Sequence, residues 1–331
     1  MGMHLHQRGL KNALLLVDII DVIHSINRGA QIVIKLTQKR NNLNMEEGRK
    51  SDMENVSERW NSEEMENYAE ESSPSTNTKS FNTSTEVLSK WLDNKIITWG
   101  NPVTEILENG NLCIKVAREI GLFSVLLMGL PKSGKTTLAA QIAKNSNFPF
   151  VKVITSEDII SLDEFENDSA KCRFIQKVFD EAYGSQFSCI IIDNIERLLN
   201  YCPINSKYSI LILQTFFMLL EKSPPSGHKL LILCTSSYQQ FLNDVELLST
   251  FNVILHVPNL STVDHMFNVL DEVNLFSKHK MASFQTKLQG KQQVFIGIKK
   301  LLSLIDIIRQ VEPSDRVEEF FTKLMEEGGL Q

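Results

Sequence analysis

The stretch GLPKSGKTT, residues 129–137, decides how the rest of the chain is read. A glycine, four residues and then Gly134-Lys135-Thr136 form the P-loop pattern. A triphosphate is cradled by backbone N–H groups turned inward, which asks Gly129 and Gly134 for backbone angles that a Cβ would obstruct. Lys135 then reaches the β- and γ-phosphates of ATP, and Thr136 offers its hydroxyl to Mg²⁺. Pro131, Lys132, Ser133 and Thr137 complete the binding loop.

The flanks support this reading. The run Phe123–Met128 is short, apolar and ended by a glycine, as a buried strand is. From Thr137 to Lys144 the apolar residues fall at helical spacing, so the loop opens a helix whose positive dipole end faces the phosphates.

Further along, Ser188-Cys189-Ile190-Ile191-Ile192-Asp193 is an apolar strand ending in an acid, the Walker B pattern that delivers a carboxylate to the Mg²⁺ shell. Hydrolytic members of this architecture usually carry Glu at the next position, where it orients and deprotonates water. Here that residue is Asn194, whose amide can position water but has no useful basicity near neutral pH. Glu196 is expected as an exposed residue at a helix start, and its alternative role is to substitute for the missing carboxylate. Thr235-Ser236-Ser237 ends another strand, where the Ser237 hydroxyl could touch the γ-phosphate or the water; a turn capping the next helix reads the same residues equally well. Lys299 and Lys300 begin an otherwise apolar helix, where cations are disfavoured unless an anion compensates. Bound phosphate is one reading, with Lys299 as the contact, and two solvated lysines are the other.

The 331 residues allow about two domains, and a formal charge of −6 argues against nucleic acid as the main partner. Five scattered cysteines, none in a Cys-x-x-Cys pair, read as small core hydrophobes in a reducing compartment. The apolar segment Leu10–Ile23 carries Asp18 and Asp21, which suits neither a membrane span nor a signal peptide, and His6 stands where a myristoylation motif wants Ser or Thr. These features predict a cytoplasmic protein without membrane insertion.

Residues 1–40 carry helix-like apolar spacing and could be a short remnant segment. Residues 41–80 are dominated by Glu, Ser, Asn and Thr and are expected to form an acidic, disordered linker, because they offer too little burial to offset ordering entropy. Residues 81–257 alternate strand-like runs (Phe123–Met128, Phe150–Thr155, Ser188–Asp193, Lys229–Thr235, Val253–Val257) with helical stretches. This predicts an α/β fold of the P-loop NTPase type, a parallel sheet sandwiched by helices. After Pro258 the strands are expected to stop, leaving a small α-helical lid over 258–331 built from Thr262–Val273, Gly297–Val311 and Arg316–Glu327.

Taken together, Ile96–Thr104 (IITWGNPVT), the P-loop, Asn147–Phe150 (NFPF), Asp193–Leu199 (DNIERLL), Leu255–Asn259 (LHVPN) and Ile296–Leu302 (IGIKKLL) resemble an AAA+ ATPase. More narrowly they are similar to the second ATPase domain of the vesicle-fusing ATPases, over roughly the three quarters of the chain from Phe81 onward. The resemblance implies that Ile97, Trp99 and Gly100 lie near the adenine and that Lys299 is the lid's sensor lysine. It also implies a hexameric ring with ATP between neighbours, and SNARE complexes and SNAP adaptors as partners. In that family an adaptor domain and a first ATPase domain precede this one, and no P-loop stands in residues 1–80. A faint likeness of Arg28-Gly29-Ala30-Gln31 to a lid helix could mark a remnant.

Two features predict slow hydrolysis. No Arg or Lys stands between Phe241 and Pro258, where ring ATPases place an arginine finger worth roughly 10³ to 10⁵ in rate. A general base is worth roughly 10² to 10⁴ more, and Asn194 cannot supply it. The expectations are therefore an ATP-binding, oligomerising module with low turnover, a fully active vesicle-fusing ATPase, or a non-catalytic subunit that joins rings of a full-length relative. A GTPase reading lacks its Asn-Lys-x-Asp motif.

Overall fold

The apolar runs pair into one sheet. The computed structural model describes residues 84–92, 96–160, 168–288 and 293–329; the expected remnant segment and acidic linker lie outside them. Strands β1 (Leu122–Met128), β2 (Phe150–Ile154), β3 (Phe187–Ile192), β4 (Lys229–Ser236) and β5 (Val253–His256) form a five-stranded sheet in the order β2-β3-β4-β1-β5. Every pairing is parallel.

The three central strands are buried along nearly their whole length, whereas the edge strands β2 and β5 are only partly so. This explains why the runs read as continuous apolar stretches rather than alternating ones. Side chains alternate between two cores. Val125, Leu127, Cys189, Ile191, Leu231 and Leu233 face the helices α2 (Asn101–Glu119) and α3 (Lys135–Ser146). Leu126, Met128, Ile190, Ile192, Ile232 and Cys234 face α5 (Asp168–Tyr183) and α7 (Ile210–Glu221). Helix α1 (Ser84–Leu92) packs against α3 and β2, and short helices α4 (Ser156–Ile160), α6 (Ile195–Leu198) and α8 (Gln239–Asp244) follow β2, β3 and β4.

Register sets where chemistry can occur. Met128 pairs with Ser236 on one side and His256 on the other, and Ile192 pairs with Cys234, so these strands end together. The P-loop, Asp193 and Ser237 therefore leave the sheet at one edge. Strand β1 lies between β4 and β5, neither its neighbour in sequence, and the crevice outside such a switch point is where open α/β sheets bind ligands.

The C-terminal part corrects one expectation. Strands do not stop after Pro258: β6 (Leu260–Thr262) and β7 (Gln293–Ile296) form an antiparallel pair. Each is too short, and too far from its partner, for periodicity to reveal it. Around them lie α9 (Val263–Glu272), α10 (Lys278–Lys287), α11 (Ile298–Arg309) and α12 (Arg316–Glu326). Thr262 caps α9 rather than starting it, its hydroxyl accepting from the His265 N–H at 3.2 Å. Helix α10 was absent from the sequence reading because its stretch, KHKMASFQTK, has few apolar positions; buried Phe284 anchors it against Phe276 and Phe320. The lid core of Met266, Leu270, Leu301, Ile305 and Phe320 runs on into that of α2 and α3.

Candidate nucleotide site

The P-loop turns from β1 into α3 through two left-handed residues, Lys132 (φ 65°) and Gly134 (φ 98°). Gly134 fits the conformational reason given for glycine. Gly129 does not: it lies outside the left-handed region, and its requirement is space, since a Cβ there would sit 2.2 Å from the Val257 carbonyl oxygen. The loop start is tied to the sheet on both sides, by the Gly129 N–H donating to Ser236 O (3.3 Å) and the Val257 N–H donating to Met128 O (2.7 Å). Sequence periodicity carries no trace of this contact with β5.

Lys135 Nζ turns back on its own loop, donating to the carbonyls of Gly129 (2.9 Å) and Leu130 (2.8 Å). Burial lowers its pKa to about 8, with Lys299 pushing the same way and the charges of Glu196 and Asp193 opposing. An ammonium held in that state gains a favourable partner when anionic phosphate arrives.

Asp193 leaves β3 with its N–H on Ile154 O at 3.0 Å. Its Oδ1 accepts from the Thr136 and Thr235 hydroxyls, both at 2.8 Å, and its Oδ2 accepts from the Asn194 amide at 2.7 Å. A hydroxyl and a carboxylate oxygen in contact are the hard donor pair that Mg²⁺ takes from a protein, leaving its other positions to phosphate and water. Asn194 adopts a left-handed conformation (φ 56°), and its N–H donates to Thr235 Oγ1 at 2.9 Å. The reading of Thr235–Ser237 as a helix cap does not hold, because the N-cap of α8 is Tyr238, without a side-chain cap: Thr235 is spent on Asp193 and Asn194, and Ser236 Oγ accepts from the Tyr238 N–H at 3.2 Å in the turn before the helix.

Glu196 departs most from its expectation. It is buried, 5 % exposed, with Oε1 accepting from the Ser237 N–H at 3.2 Å and Oε2 without a hydrogen-bond partner. Helix α6 begins where β3 ends, so its first turn folds inward beside β4 instead of outward.

Two adjoining hollows open over this edge. A polar one of about 460 Å³ is lined by Pro131, Lys132, Lys135, Thr136, Asn194 and Ser237 among the residues expected at the site. An apolar one of about 400 Å³ takes Ile97, Trp99, Ser133 and Thr137. Gly134 and Lys299 line both. Gly100, Gly129 and Asp193 line neither: Gly100 packs on His265, Gly129 on Val257, and Asp193 lies beneath Thr136. Glu196, named from the sequence only as an alternative, lines the polar hollow; Arg197, Tyr201 and Tyr238 there, and Trp91, Leu302, Ser303 and Asp306 in the apolar hollow, were not expected at the site. Helical spacing could have found the last three, because Lys299, Leu302, Ser303 and Asp306 follow one face of α11.

The 96–99 segment is held by the lid. Trp99 stacks tilted on His265, with ring centroids 4.7 Å apart, and the Asn268 amide donates to Trp99 O at 3.0 Å. The lid also touches the P-loop, through the Lys299 N–H donating to Lys132 O at 3.0 Å. Lys299 and Lys300 thus part company: Lys299 faces both hollows, while Lys300 pairs with Glu327 at 2.6 Å.

A polar hollow adjoining an apolar one, on a P-loop sheet capped by a lid, is the arrangement of an AAA+ module. The family of ATPases associated with various cellular activities matches residues 125–259, and the AAA+ ATPase lid domain of NSF matches 259–327, so the chain belongs to the AAA+ ATPases and carries an NSF-type lid. The vesicle-fusing ATPase of Caenorhabditis elegans is 41% identical over 244 residues, 72% of this chain and 29% of the relative. That of Dictyostelium discoideum is 36% identical, over 71% of this chain and 31% of the relative. The vesicular-fusion protein sec18 of Schizosaccharomyces pombe is 34% identical, over 70% and 29%. The chain therefore aligns with about a third of the length of these relatives. Among the described residues no helix is long and apolar enough to cross a membrane.

Proposed function

We propose that this chain binds Mg-ATP across the two hollows, self-associates through the nucleotide into a ring, hydrolyses it slowly, and serves SNARE-complex disassembly in vesicle transport. The base would lie in the apolar hollow against Ile97 and the α11 face, and the phosphates over the α3 N-terminus. Lys135 would leave the Gly129 and Leu130 carbonyls for the β- and γ-phosphate oxygens, while Lys299 approaches from the lid. Thr136 and Asp193 would hold Mg²⁺, which when bound neutralises charge on the phosphate oxygens. SNAP adaptors and SNARE complexes enter through the similarity to vesicle-fusing ATPases, as do the hexamer and a cytoplasmic location.

The observation that carries slow turnover is the Asn194 side chain, a neutral amide turned onto Asp193 where a basic carboxylate is usual. The same observation favours a second reading, a non-catalytic subunit that joins rings of a full-length relative and uses ATP only for assembly.

The test is nucleotide retention with melting. Purified protein should carry ATP and, at about a thousand times Kd, gain about 4 kcal/mol of stability from Mg-ATP, both lost in Lys135→Ala. Protein that neither retains ATP nor melts higher with it would end both readings. Sedimentation with and without ATP tests assembly, and co-purification with a full-length relative separates the second reading from the first.

A further inference from the structure

Two carboxylates belong to the polar end of the cleft, and they are used differently. Both oxygens of Asp193 are engaged by Thr136, Thr235 and Asn194. Glu196 lines the hollow itself with only Oε1 engaged, and its buried Oε2 has no partner. A buried acceptor left empty costs free energy unless something in the working state fills it. The hollow beside it is bounded by Thr136, Asn194 and Ser237, where the end of the triphosphate and a water molecule would lie.

We infer that Glu196, two residues beyond the usual position, is the proton acceptor for whatever hydrolysis this chain performs. The inference rests on ATP occupying the cleft. Water held at Glu196 Oε2 attacks the γ-phosphorus and a new P–O bond forms. The bond from that phosphorus to the bridging oxygen breaks, its electron pair leaving with ADP, and the water proton passes to the Glu196 carboxylate and then to solvent. Asn194 cannot take that proton, because a neutral amide has no basic lone pair of use at this pH. The Oε1 bond to the Ser237 N–H adds a positioning device, since the end of β4 that borders the γ-phosphate also holds the base.

Single-turnover release of labelled phosphate, with protein in excess over ATP, tests this beside a filter assay for retained ATP. Glu196→Gln keeps an oxygen for the Ser237 N–H but removes the basicity. It should retain ATP, melt as the wild type does, and release phosphate about 100-fold more slowly or worse. Glu196→Asp should recover part of the rate. Equal rates for wild type and Glu196→Gln would overturn the inference. So would retained ATP with wild-type release no faster than Lys135→Ala, which would leave the nucleotide reading intact. Failure of the wild type to retain ATP would bring both down together.

Discussion

The polar half of the cleft draws its lining from three short stretches, Pro131–Thr136, Asn194–Tyr201 and Ser237–Tyr238, with Lys299 added from the lid. The apolar half is assembled from α1, the 96–99 segment, α2, α3, the 257–258 turn and α11, pieces spread from Lys90 to Asp306. Backbone angles and close backbone approach shape the first, whereas packing between the sheet and its lid shapes the second. Damage should therefore spread differently. A change in the polar half should remove phosphate binding at its own position, while a change in the apolar half should loosen the lid and destabilise the whole unit.

Trp99→Ala should have the largest effect, because it empties a buried site that the lid packs against through His265 and Asn268. A loss of about 3–5 kcal/mol in denaturant unfolding is expected. Mg-tripolyphosphate, which has no base, should still raise its melting temperature. If it does not, the two halves are not separable.

Gly129→Ala comes next, since its Cβ would stand 2.2 Å from backbone, the Val257 oxygen. About 1–3 kcal/mol of destabilisation and loss of ATP retention are expected. Gly100→Ala is the matching change where the chain meets the lid. Its Cβ would meet the His265 ring at 2.8 Å, a side chain that can move, so thermal melting should show a milder loss.

The pH dependence sharpens the comparison further. Lys135 titrates near 8 in the folded protein and near 10.5 when unfolded, so its buried charge costs stability fully below pH 8 and the cost lifts as pH rises towards 10.5. Phosphate favours the ammonium, so binding above pH 8 must take up a proton. The Kd for ATP should be flat from the neutral side up to about 8 and then rise by up to about tenfold per pH unit. Calorimetry in buffers of different ionisation enthalpy should detect that proton, and binding that stays flat to pH 9.5 would contradict the assignment.

The smallest effect is expected at Lys300→Ala. The Lys300–Glu327 pair is close, 2.6 Å, but its side chains are 32% and 39% exposed and screened by solvent. A loss of about 0–1 kcal/mol, reduced further by salt, is expected in urea melts. ATP retention should not change. A clear loss of retention would mean that Lys300, not only Lys299, serves the cleft.

The five main strands were legible because the three central, buried parallel strands are apolar along nearly their whole length and the two edge strands are mostly apolar, and the P-loop and Asp193 because each motif lies within a few residues. The β6–β7 pair and α10 were not legible. A three-residue strand has no period to read, and α10 is held mainly by Phe284, whose value as an anchor depends on Phe276 and Phe320 arriving from elsewhere. Glu196 was expected at the surface for a related reason: a charged residue at a helix start suggests solvent, and only the inward first turn of α6 buries it.

By itself the sequence determined that a phosphate-binding loop joins a buried strand to a helix, that a carboxylate ends another strand of the same kind, and that Asn follows it. Those are properties of neighbouring residues, set by local backbone geometry and side-chain chemistry. The tertiary structure alone decided that β1 lies between β4 and β5, that Gly129 must clear the Val257 carbonyl, that Lys299 and not Lys300 reaches the cleft, and that Glu196 lines the polar hollow with one buried oxygen lacking a hydrogen-bond partner. Each of these depends on which distant surface packs against which, and burial is a property of that packing rather than of any residue taken alone.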